Sequence, residues 1–253
     1  MLNMKGLTVF DFDHTIIQEN SDTAVADLIK GGIPSHVKKL HKKDGWTAFM
    51  QGVFDILHHN EVNKNDISDV ITKLKPVEGM TNLINDISTH FNYDVIIISD
   101  SNMYFINIWL ENNGLKEYVL KVFSNPAVFS DGALKIQMYH IQDYCDFSTK
   151  NLCKGQILTD FLEMQKTNNI VYDKVMYIGD GSNDFCPILK LTDCDYAFVR
   201  HGYKCIDLVN KAKKGEIHDR FGISQSVKAN VFVWKTGYDI LKYMHQIENQ
   251  QSQ

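Results

Sequence analysis

The sequence lacks long apolar runs and any excess of basic residues. Its most apolar segment, residues 95–98, is far shorter than the roughly 20 residues that a membrane-spanning helix needs. The formal net charge is −5, whereas proteins that bind nucleic acids usually carry a basic face. We therefore expect no contact with membranes or nucleic acids. Because a negative protein also repels a phosphorylated substrate, a site for such a substrate needs positive charge placed locally.

Cysteine is scarce as well, and its spacing is irregular. Five cysteines, an odd number, do not form the disulfide framework of a small secreted protein, so we expect a reducing cytoplasm. Seven residues separate Cys145 from Cys153, which fits no common zinc spacing, and no structural zinc is expected. A cleaved signal peptide is not expected either, because removing roughly 15–30 residues would also remove the candidate catalytic residue Asp11.

Short segments rich in β-branched or aromatic residues predict four buried strands, at residues 7–10, 94–98, 174–178 and 196–199. Each is followed by polar or glycine residues and then by a helical pattern. This alternation predicts an α/β fold with a parallel sheet covered by helices on both faces. A fifth strand is predicted at 230–234, before a helix from about residue 237 to residue 247.

The segment from about residue 21 to residue 75 differs from the rest of the chain. It contains no convincing strand, and helical periodicity appears at 24–30, 46–58 and 66–74. We interpret residues 21–75 as a small helical cap that is inserted after the first strand. Residues 1–20 and 76–253 would then form the catalytic core.

Two carboxylates, Asp11 and Asp13, directly follow the first predicted strand. Burying even one unpaired charge is costly, but a site shared by a cation and an anionic substrate can accept that cost. The pair therefore indicates metal-assisted phosphoryl chemistry. Loops that follow parallel strands gather at the carboxyl edge of the sheet, so we expect Asp11, Ser99 and Asp180 to meet there.

Four motifs together carry a specific resemblance. They follow in the order found in phosphatases of the haloacid dehalogenase superfamily: Asp11-Phe12-Asp13-x-Thr15, Ser99, Lys154 and Gly179-Asp180-Gly181-x-Asn183-Asp184. Over nearly its whole length the chain is similar to the eukaryotic PHOSPHO group, which contains phosphatases for pyridoxal phosphate and for phosphoethanolamine or phosphocholine. The segments 97–102 and 125–126 look closest to the pyridoxal phosphate branch. The resemblance implies a three-layer Rossmann-like parallel sheet with a helical cap.

The resemblance also implies roles for individual residues. Asp11 would attack phosphorus and form an aspartyl-phosphate. Asp13 would protonate the leaving alkoxide and later activate water, with Thr15 hydrogen-bonded to it and orienting it. Ser99 would donate a hydrogen bond to a phosphoryl oxygen, and Lys154 would supply positive charge.

A Mg²⁺ cofactor is implied in the same way. Two like charges about 4 Å apart repel by about 4 kcal/mol at an effective dielectric constant of 20, so the attack of a carboxylate on a phosphate needs a cation. Mg²⁺ prefers hard oxygen ligands. The resemblance implies that the side chains of Asp11 and Asp180 and the backbone carbonyl of Asp13 hold it. Asp184 would hold a metal-bound water or orient Lys154.

Substrate selection is expected to depend on Asp22 and Asp100, by the same resemblance. Neither carboxylate is needed for phosphoryl transfer, and both would hinder an anionic substrate unless its leaving group is cationic or offers hydrogen-bond donors. Four aromatic residues could line the pocket, or could belong to the hydrophobic core: Trp46, Phe49, Tyr104 and Phe105.

We therefore expect a cytoplasmic, Mg²⁺-dependent phosphomonoesterase that acts on a small phosphorylated metabolite, pyridoxal 5′-phosphate. Hydrolysis of phosphocholine or phosphoethanolamine by the same mechanism is the nearest alternative. A phosphotransferase or mutase on the same scaffold and a non-catalytic protein that binds a phosphorylated ligand are further alternatives. The sequence does not indicate an oligomeric state.

Overall fold

The computed structural model describes residues 3–91 and 93–251. The strands within these residues are β1 (Asn3–Phe10), β2 (Asp94–Asn102), β3 (Lys121–Asn125), β4 (Ala127–Ser130), β5 (Ala133–Ile136), β6 (Ile170–Gly179), β7 (Tyr196–Arg200) and β8 (Asn230–Trp234). Six of them pair in parallel in the order β3-β2-β1-β6-β7-β8. The remaining two, β4 and β5, form an antiparallel hairpin.

Helices connect the strands. The α-helices of the described residues are α1 (Ser21–Ala26), α2 (Ser35–Asp44), α3 (Trp46–His59), α4 (Lys64–Thr72), α5 (Met80–Thr89), α6 (Met103–Asn112), α7 (Lys154–Thr167), α8 (Phe185–Ile188), α9 (Lys204–Lys213) and α10 (Gly237–Gln251). Short 3₁₀ turns span Lys116–Tyr118 and Ser182–Asp184. In this part of the chain no helix has both the length and the apolar character needed to cross a bilayer.

Alternate residues along the strands face two hydrophobic cores, one on each side of the sheet. On β1, Phe10 belongs to one core, and Leu7 and Val9 belong to the other. Helices α5, α6 and α10 contribute to the first core, and α7 and α9 contribute to the second. The predicted three-layer α/β fold with a parallel sheet is therefore confirmed, because a strand buried on both faces needs helices on both sides.

All five predicted strands are present, although β2 continues to Asn102 and β6 already begins at Ile170. The edge strand β3 was not predicted. Its residues include an exposed lysine, Lys121, and end in the polar pair Ser124-Asn125, so it lacks the apolar run that marks the central strands. The order of the strands was not predicted either.

Helices α1–α4 lie between β1 and α5, in the segment where helical periodicity predicted three helices. Helix α1 spans Ser21–Ala26 rather than 24–30, and α2 was missed because only Val37 and Leu40 are apolar among its ten residues. The division of the chain into a cap and a core stays a prediction.

The hairpin of β4 and β5 packs against α3. The side chain of Gln51 donates a hydrogen bond to the carbonyl of Leu134 (3.3 Å) and accepts one from the N–H of Ile136 (2.9 Å). The side-chain amide of this helical residue thus pairs with the backbone of β5 as a neighbouring strand would. Lys135 pairs with Asp55 of the same helix at 2.8 Å.

The turn of this hairpin has a recognisable sequence pattern, Asp131-Gly132. Asp131 and Gly132 both adopt positive φ, 51° and 79°, as a two-residue turn of type I′ requires. An Asp-Gly pair between apolar segments is a strong indication of a hairpin. The hairpin falls within residues 76–253, yet it contacts a helix from the predicted cap.

Candidate active site

The loop after β1 carries two buried carboxylates at the carboxyl edge of the sheet. The N–H of Asp11 donates to the carbonyl of Ile178 on β6 (3.0 Å), so this residue still follows the register of the sheet. The chain then turns back, because the N–H of Ile16 donates to the carbonyl of Phe12 (2.8 Å). Asp11 is 4% exposed and Asp13 is 7% exposed, so both carboxylates lie in a shielded environment.

Lys154 is the first residue of α7 and is fully buried. Its Nζ lies 2.8 Å from Oδ2 of Asp11 and 2.7 Å from Oδ1 of Asp184. Burial by itself would lower the pKa of Lys154, but the two carboxylates outweigh burial and hold that pKa above its ordinary value. The side chain is therefore a buried ammonium rather than a solvated surface lysine.

Asp184 accepts four hydrogen bonds. Its Oδ1 accepts from Lys154 and from the hydroxyl of Tyr177, each at 2.7 Å. Its Oδ2 accepts from the N–H groups of Asp180 (2.9 Å) and Gly181 (2.8 Å). A carboxylate offers about four lone-pair sites, so Asp184 is saturated. It contacts Lys154 directly, and its role in the reaction stays a prediction.

Asp180 lies beside the loop that carries Asp11, Asp13 and Thr15. The hydroxyl of Thr15 donates to Oδ1 of Asp180 at 3.1 Å, so the prediction that Thr15 orients Asp13 is wrong. The two residues are 165 positions apart in sequence, and only the pairing of β1 with β6 brings them together. Burial raises the pKa of Asp180 to about 8, and the negative charges of Asp184 and Asp11 contribute to the increase.

Asp13 is held by residues at the start of α1. Its Oδ1 accepts from the N–H of Ser21 (2.9 Å), and its Oδ2 accepts from the amide of Asn20 (3.1 Å). Burial raises the pKa of Asp13 well above its ordinary value, and the nearby charge of Asp22 raises it further. A raised pKa favours the protonated form of a carboxyl group, which is the form that a general acid needs.

Three carboxylates and a single ammonium make the site electrically unbalanced. Oxygens of Asp11, Asp180 and Asp184 lie within 4.8 Å of one another. Burial raises the pKa of Asp11 to about 7 although Lys154 lowers it. Excess negative charge on hard oxygen ligands fits a divalent cation such as Mg²⁺. Because Asp184 is saturated by hydrogen bonds, Asp11 and Asp180 have the free lone pairs that a cation needs.

Ser99 lies in β2 beside the loop that carries Asp11. Phe10 pairs with Ile97 in the sheet, so Ser99 stands two residues beyond that pairing. It is fully buried, and its Oγ accepts a hydrogen bond from the N–H of Ser101 at 3.3 Å. As an acceptor in that bond, the hydroxyl keeps its own proton to donate.

Asp22 is buried with half of its carboxylate unsatisfied. It is 2% exposed, and its Oδ2 accepts a hydrogen bond from the indole N–H of Trp46 at 2.6 Å. Its Oδ1 has no hydrogen-bond partner among the residues that the structure describes. Burial raises the pKa of Asp22 to about 7, and the charge of Asp100 adds to the increase. A buried polar atom without a partner is costly, which points to a donor supplied by a ligand.

A cavity of about 550 Å³ lies where the helical segment meets the rest of the chain. His41 and Trp46 line it on one side, and Asp100 and Ile141 line it on the other. Oδ2 of Asp100 accepts a hydrogen bond from the amide of Asn183 at 3.1 Å, which ties this wall to the loop after β6. The cavity has the size of a small-metabolite pocket.

Of the four aromatic residues that could have lined a pocket, Trp46 alone borders this cavity. Phe49 is buried and packs against Trp46, with ring centroids 5.1 Å apart. Phe105 lies in the hydrophobic core, and Tyr104 shares a hydrogen bond of 2.7 Å with Ser68. The interpretation of Tyr104 and Phe105 as pocket-lining residues is therefore wrong, and both match the alternative that they belong to the hydrophobic core.

Several contacts around the site were not predicted. Asn20 and Ser21 hold Asp13, and Tyr177 holds Asp184. Arg200, at the end of β7, donates to the carbonyl of His14 and thereby supports the loop of the first motif. A weak signal existed for some of them: an Asn before a helix is a typical N-cap, and a charged residue that ends a buried strand lies at the ligand-binding edge.

Comparison with known sequences places the chain among phosphatases. The family model described as Putative Phosphatase matches residues 6–248. A Xenopus tropicalis protein described as probable phosphatase phospho2 is 36% identical over 244 residues, covering 95% of this chain and 98% of that protein. The Homo sapiens pyridoxal phosphate phosphatase PHOSPHO2 has the same identity and coverage. A Gallus gallus phosphoethanolamine/phosphocholine phosphatase is 31% identical over 246 residues, which cover 96% of this chain and 89% of that protein.

Comparison with solved structures concerns the fold. A phosphoserine phosphatase in its apo form superposes with a TM-score of 0.58 at 20% identity, covering 94% of this chain and 98% of that chain. A phospho-aspartyl intermediate analogue of phosphoserine phosphatase gives a TM-score of 0.56 at 20% identity, and the match covers 95% of this chain and 99% of that chain. At this level of identity the similarity shows a shared fold and nothing about the substrate.

Proposed function

Because the chain belongs to the Putative Phosphatase family and has the fold of haloacid dehalogenase phosphatases, we propose that it hydrolyses phosphate monoesters with Asp11 as its nucleophile. The observation that carries the proposal is the fully buried Lys154, which contacts both Asp11 and Asp184. A buried ammonium against a candidate nucleophile fits a site for an anionic group, since it offsets repulsion as the two approach.

The residues suggest a two-step reaction. An oxygen of Asp11 forms a bond to phosphorus while the bond from phosphorus to the leaving oxygen breaks, and Asp13 gives that oxygen its proton. Asp13, now ionised, then takes a proton from water, which attacks phosphorus and releases phosphate and free Asp11. Lys154 stabilises the phosphoryl charge throughout, and Ser99 donates a hydrogen bond to a phosphoryl oxygen.

Mg²⁺ fits this site, and the side chains of Asp11 and Asp180 with the backbone carbonyl of Asp13 would hold it. When bound, the cation supplies positive charge that offsets the repulsion between carboxylate and phosphate. Asp184 acts through Lys154, and Thr15 acts through Asp180, to which it donates a hydrogen bond.

The contact of Thr15 with Asp180 leads to a test. We expect Thr15→Val to raise the Mg²⁺ concentration needed for half-maximal activity by about 10-fold or more, because an outer partner orients a ligating carboxylate. Activity at saturating Mg²⁺ should be largely retained. The measurement is phosphate release against Mg²⁺ concentration, with Thr89→Val on the exposed face of α5 as the matched control. An unchanged Mg²⁺ dependence would contradict the role assigned to Thr15.

For the substrate, we propose pyridoxal 5′-phosphate. Oδ1 of Asp22 has no hydrogen-bond partner within residues 3–91 and 93–251, and Asp100 is nearby, so both carboxylates favour a leaving group that offers a hydrogen-bond donor or a positive charge. Pyridoxal has both, in its pyridinium nitrogen and its ring hydroxyl, and the indole of Trp46 offers a flat neighbour for an aromatic ring. Relatives whose names include pyridoxal phosphate phosphatase are 34–36% identical to this chain.

Phosphocholine and phosphoethanolamine remain the alternative, because their cationic leaving groups also suit two carboxylates. The deciding experiment compares kcat/KM for pyridoxal 5′-phosphate, phosphocholine, phosphoethanolamine and p-nitrophenyl phosphate with one Mg²⁺-loaded preparation. Pyridoxal 5′-phosphate should be the best of the four. A value no better than that for p-nitrophenyl phosphate would reject this substrate. Transfer of phosphate to an added alcohol, rather than to water, would indicate a phosphotransferase.

Asp22 provides a second test of the substrate. We expect Asp22→Asn to raise KM for the preferred substrate by about 10–100-fold, since hydrogen bonds to charged groups contribute about 1.5–3 kcal/mol. The KM for p-nitrophenyl phosphate, whose leaving group offers no such donor, should change little. Asp69→Asn, at an exposed position of α4, is the control. Equal changes for both substrates would show that Asp22 does not recognise the leaving group.

A further inference from the structure

Three cysteines from separate parts of the sequence meet next to the segments that carry Lys154 and Asp184. Cys145 lies in the segment between β5 and α7, Cys153 directly precedes α7, and Cys186 lies in α8. The Sγ of Cys186 is 3.3 Å from that of Cys145 and 3.6 Å from that of Cys153, and all three sulfurs lie within 4.8 Å of one another. None of the three forms a disulfide.

We propose that this thiol cluster is a structural zinc site. Zinc bonds to thiolate sulfur at about 2.3 Å with tetrahedral geometry, which sets sulfur–sulfur distances of about 3.8 Å. The two distances from the Sγ of Cys186, 3.3 and 3.6 Å, are slightly shorter, so a bound zinc ion would move the sulfurs a few tenths of an ångström apart. Three soft ligands of this kind favour zinc over Mg²⁺, which prefers oxygen.

The surroundings offer a fourth ligand and a route for the ion. The hydroxyl of Ser148 lies 3.5 Å from the Sγ of Cys145. A cavity of about 230 Å³, lined by all three cysteines, opens beside them and has room for water molecules. A zinc ion there would be coordinated by three protein thiolates and by either the Ser148 hydroxyl or a water molecule.

The segment that carries Cys145 is shaped by one buried side chain. Between β5 and α7 the described residues form no helix or strand. The amide of Gln142 donates to the carbonyls of Cys145 (3.2 Å), Ser148 (3.3 Å) and Thr149 (2.7 Å), and its oxygen accepts from the N–H of Cys145 (2.7 Å). This arrangement curls the segment around Gln142 and directs the thiol of Cys145 toward Cys186. On the other side, Cys153 lies at the N-terminus of α7, where the helix dipole favours a thiolate.

Two of the three cysteines are close in sequence to Lys154 and Asp184 of the candidate active site. Cys153 directly precedes Lys154, and Cys186 follows Asp184 by two residues. A metal that joins the two cysteines would fix the two segments whose side chains make the Lys154–Asp184 contact of 2.7 Å. This consequence depends on the proposed function, whereas the zinc site itself does not.

Metal analysis of the full chain tests the proposal. The protein is purified under reducing conditions, its zinc content is measured, and its affinity is determined by competition with a chromophoric chelator. Zinc is then replaced by Co²⁺, whose thiolate charge-transfer absorption reports sulfur ligands and does not arise from the carboxylates of the active site. We expect one zinc ion per chain and this absorption band in the unchanged protein and in the control Cys194→Ser, whose thiol is exposed.

Two variants act on the site in opposite directions. Cys145→Ser should lower the zinc affinity by more than about 100-fold, beyond what the loss of an outer-shell partner costs. Ser148→Cys should raise the zinc affinity and add to the Co²⁺ charge-transfer absorption, so the proposal remains testable even if Cys145→Ser fails to fold. A reduced protein that binds no zinc, or equal affinities in all the variants, would overturn the proposal. Because neither readout involves phosphate release, a failure here is distinct from a failure of the proposed activity.

Discussion

Asp11→Asn is expected to lower phosphate release by at least about 10³-fold, because an amide oxygen does not form the covalent bond to phosphorus that a carboxylate forms. The variant keeps the size of the side chain, and its single carbonyl oxygen can accept one of the two hydrogen bonds that Oδ1 and Oδ2 of Asp11 accept from the N–H of Phe12 and from Lys154. We expect the fold to persist. The measurement is kcat with pyridoxal 5′-phosphate and p-nitrophenyl phosphate, together with circular dichroism, and Asp69→Asn serves as the control.

The same variant should change stability with a defined dependence on pH. Burial raises the pKa of Asp11 from 3.8 to about 7 in the metal-free protein. The folded state therefore holds a proton that the unfolded state has lost, and the charged carboxylate costs stability as pH rises from the unfolded pKa to the folded one. In the presence of a chelator, Asp11→Asn should unfold at a higher temperature than the unchanged protein above the folded pKa, and this difference should shrink as pH falls toward the unfolded pKa.

Either result could contradict the role of Asp11. Phosphate release that persists in Asp11→Asn would require another nucleophile. Equal unfolding temperatures at every pH would mean that the carboxylate of Asp11 is not held in an unfavourable environment. Added Mg²⁺ should stabilise the unchanged protein more than the variant, because the variant lacks one of the carboxylates that would hold the cation.

Asp13→Asn should separate the two chemical steps. With alkyl phosphates, whose leaving oxygen needs a proton, kcat should fall by about 10²–10⁴-fold. With p-nitrophenyl phosphate the leaving group departs without a proton, so the first step should be much less affected and the second step should limit the rate. We expect a burst of p-nitrophenolate equal to the enzyme concentration, followed by slow turnover.

This outcome follows from the environment of Asp13. Burial and the charge of Asp22 raise the pKa of Asp13, which favours the protonated form that the first step requires. The variant can still accept the hydrogen bond that the N–H of Ser21 donates, which should preserve the loop. Rapid-mixing kinetics provide the measurement. Equal losses with alkyl and aryl phosphates and no burst would show that Asp13 positions the substrate rather than transferring protons.

The carboxyl edge of the sheet could be predicted because it depends on local patterns. A short apolar run followed by polar residues predicts a strand end, and parallel strands bring their ends to one edge. At this edge Asp11 follows β1, Ser99 lies in β2 and Asp180 follows β6. The Asp131-Gly132 pair also indicates the hairpin of β4 and β5, which was not predicted.

Contacts between side chains could not be predicted in this way. Thr15 was expected to hydrogen-bond to its neighbour Asp13 and instead donates to Asp180, because its hydroxyl faces β6. The spacing of Cys145 and Cys153 argued against a metal, but spacing describes only ligands that are close in sequence. Cys186 joins them through the packing of α8 against α7.

The sequence by itself determined five strands of the parallel sheet, because these depend on short-range periodicity, and its acidic motifs carried the resemblance to the phosphatase family. Only the tertiary structure decided which side chains meet. It buried Lys154 between Asp11 and Asp184, gathered three thiols and left Oδ1 of Asp22 without a hydrogen-bond partner among the described residues. The physical reason is that burial and hydrogen bonding depend on distances in space, and sheet pairing joins residues that are more than 150 positions apart.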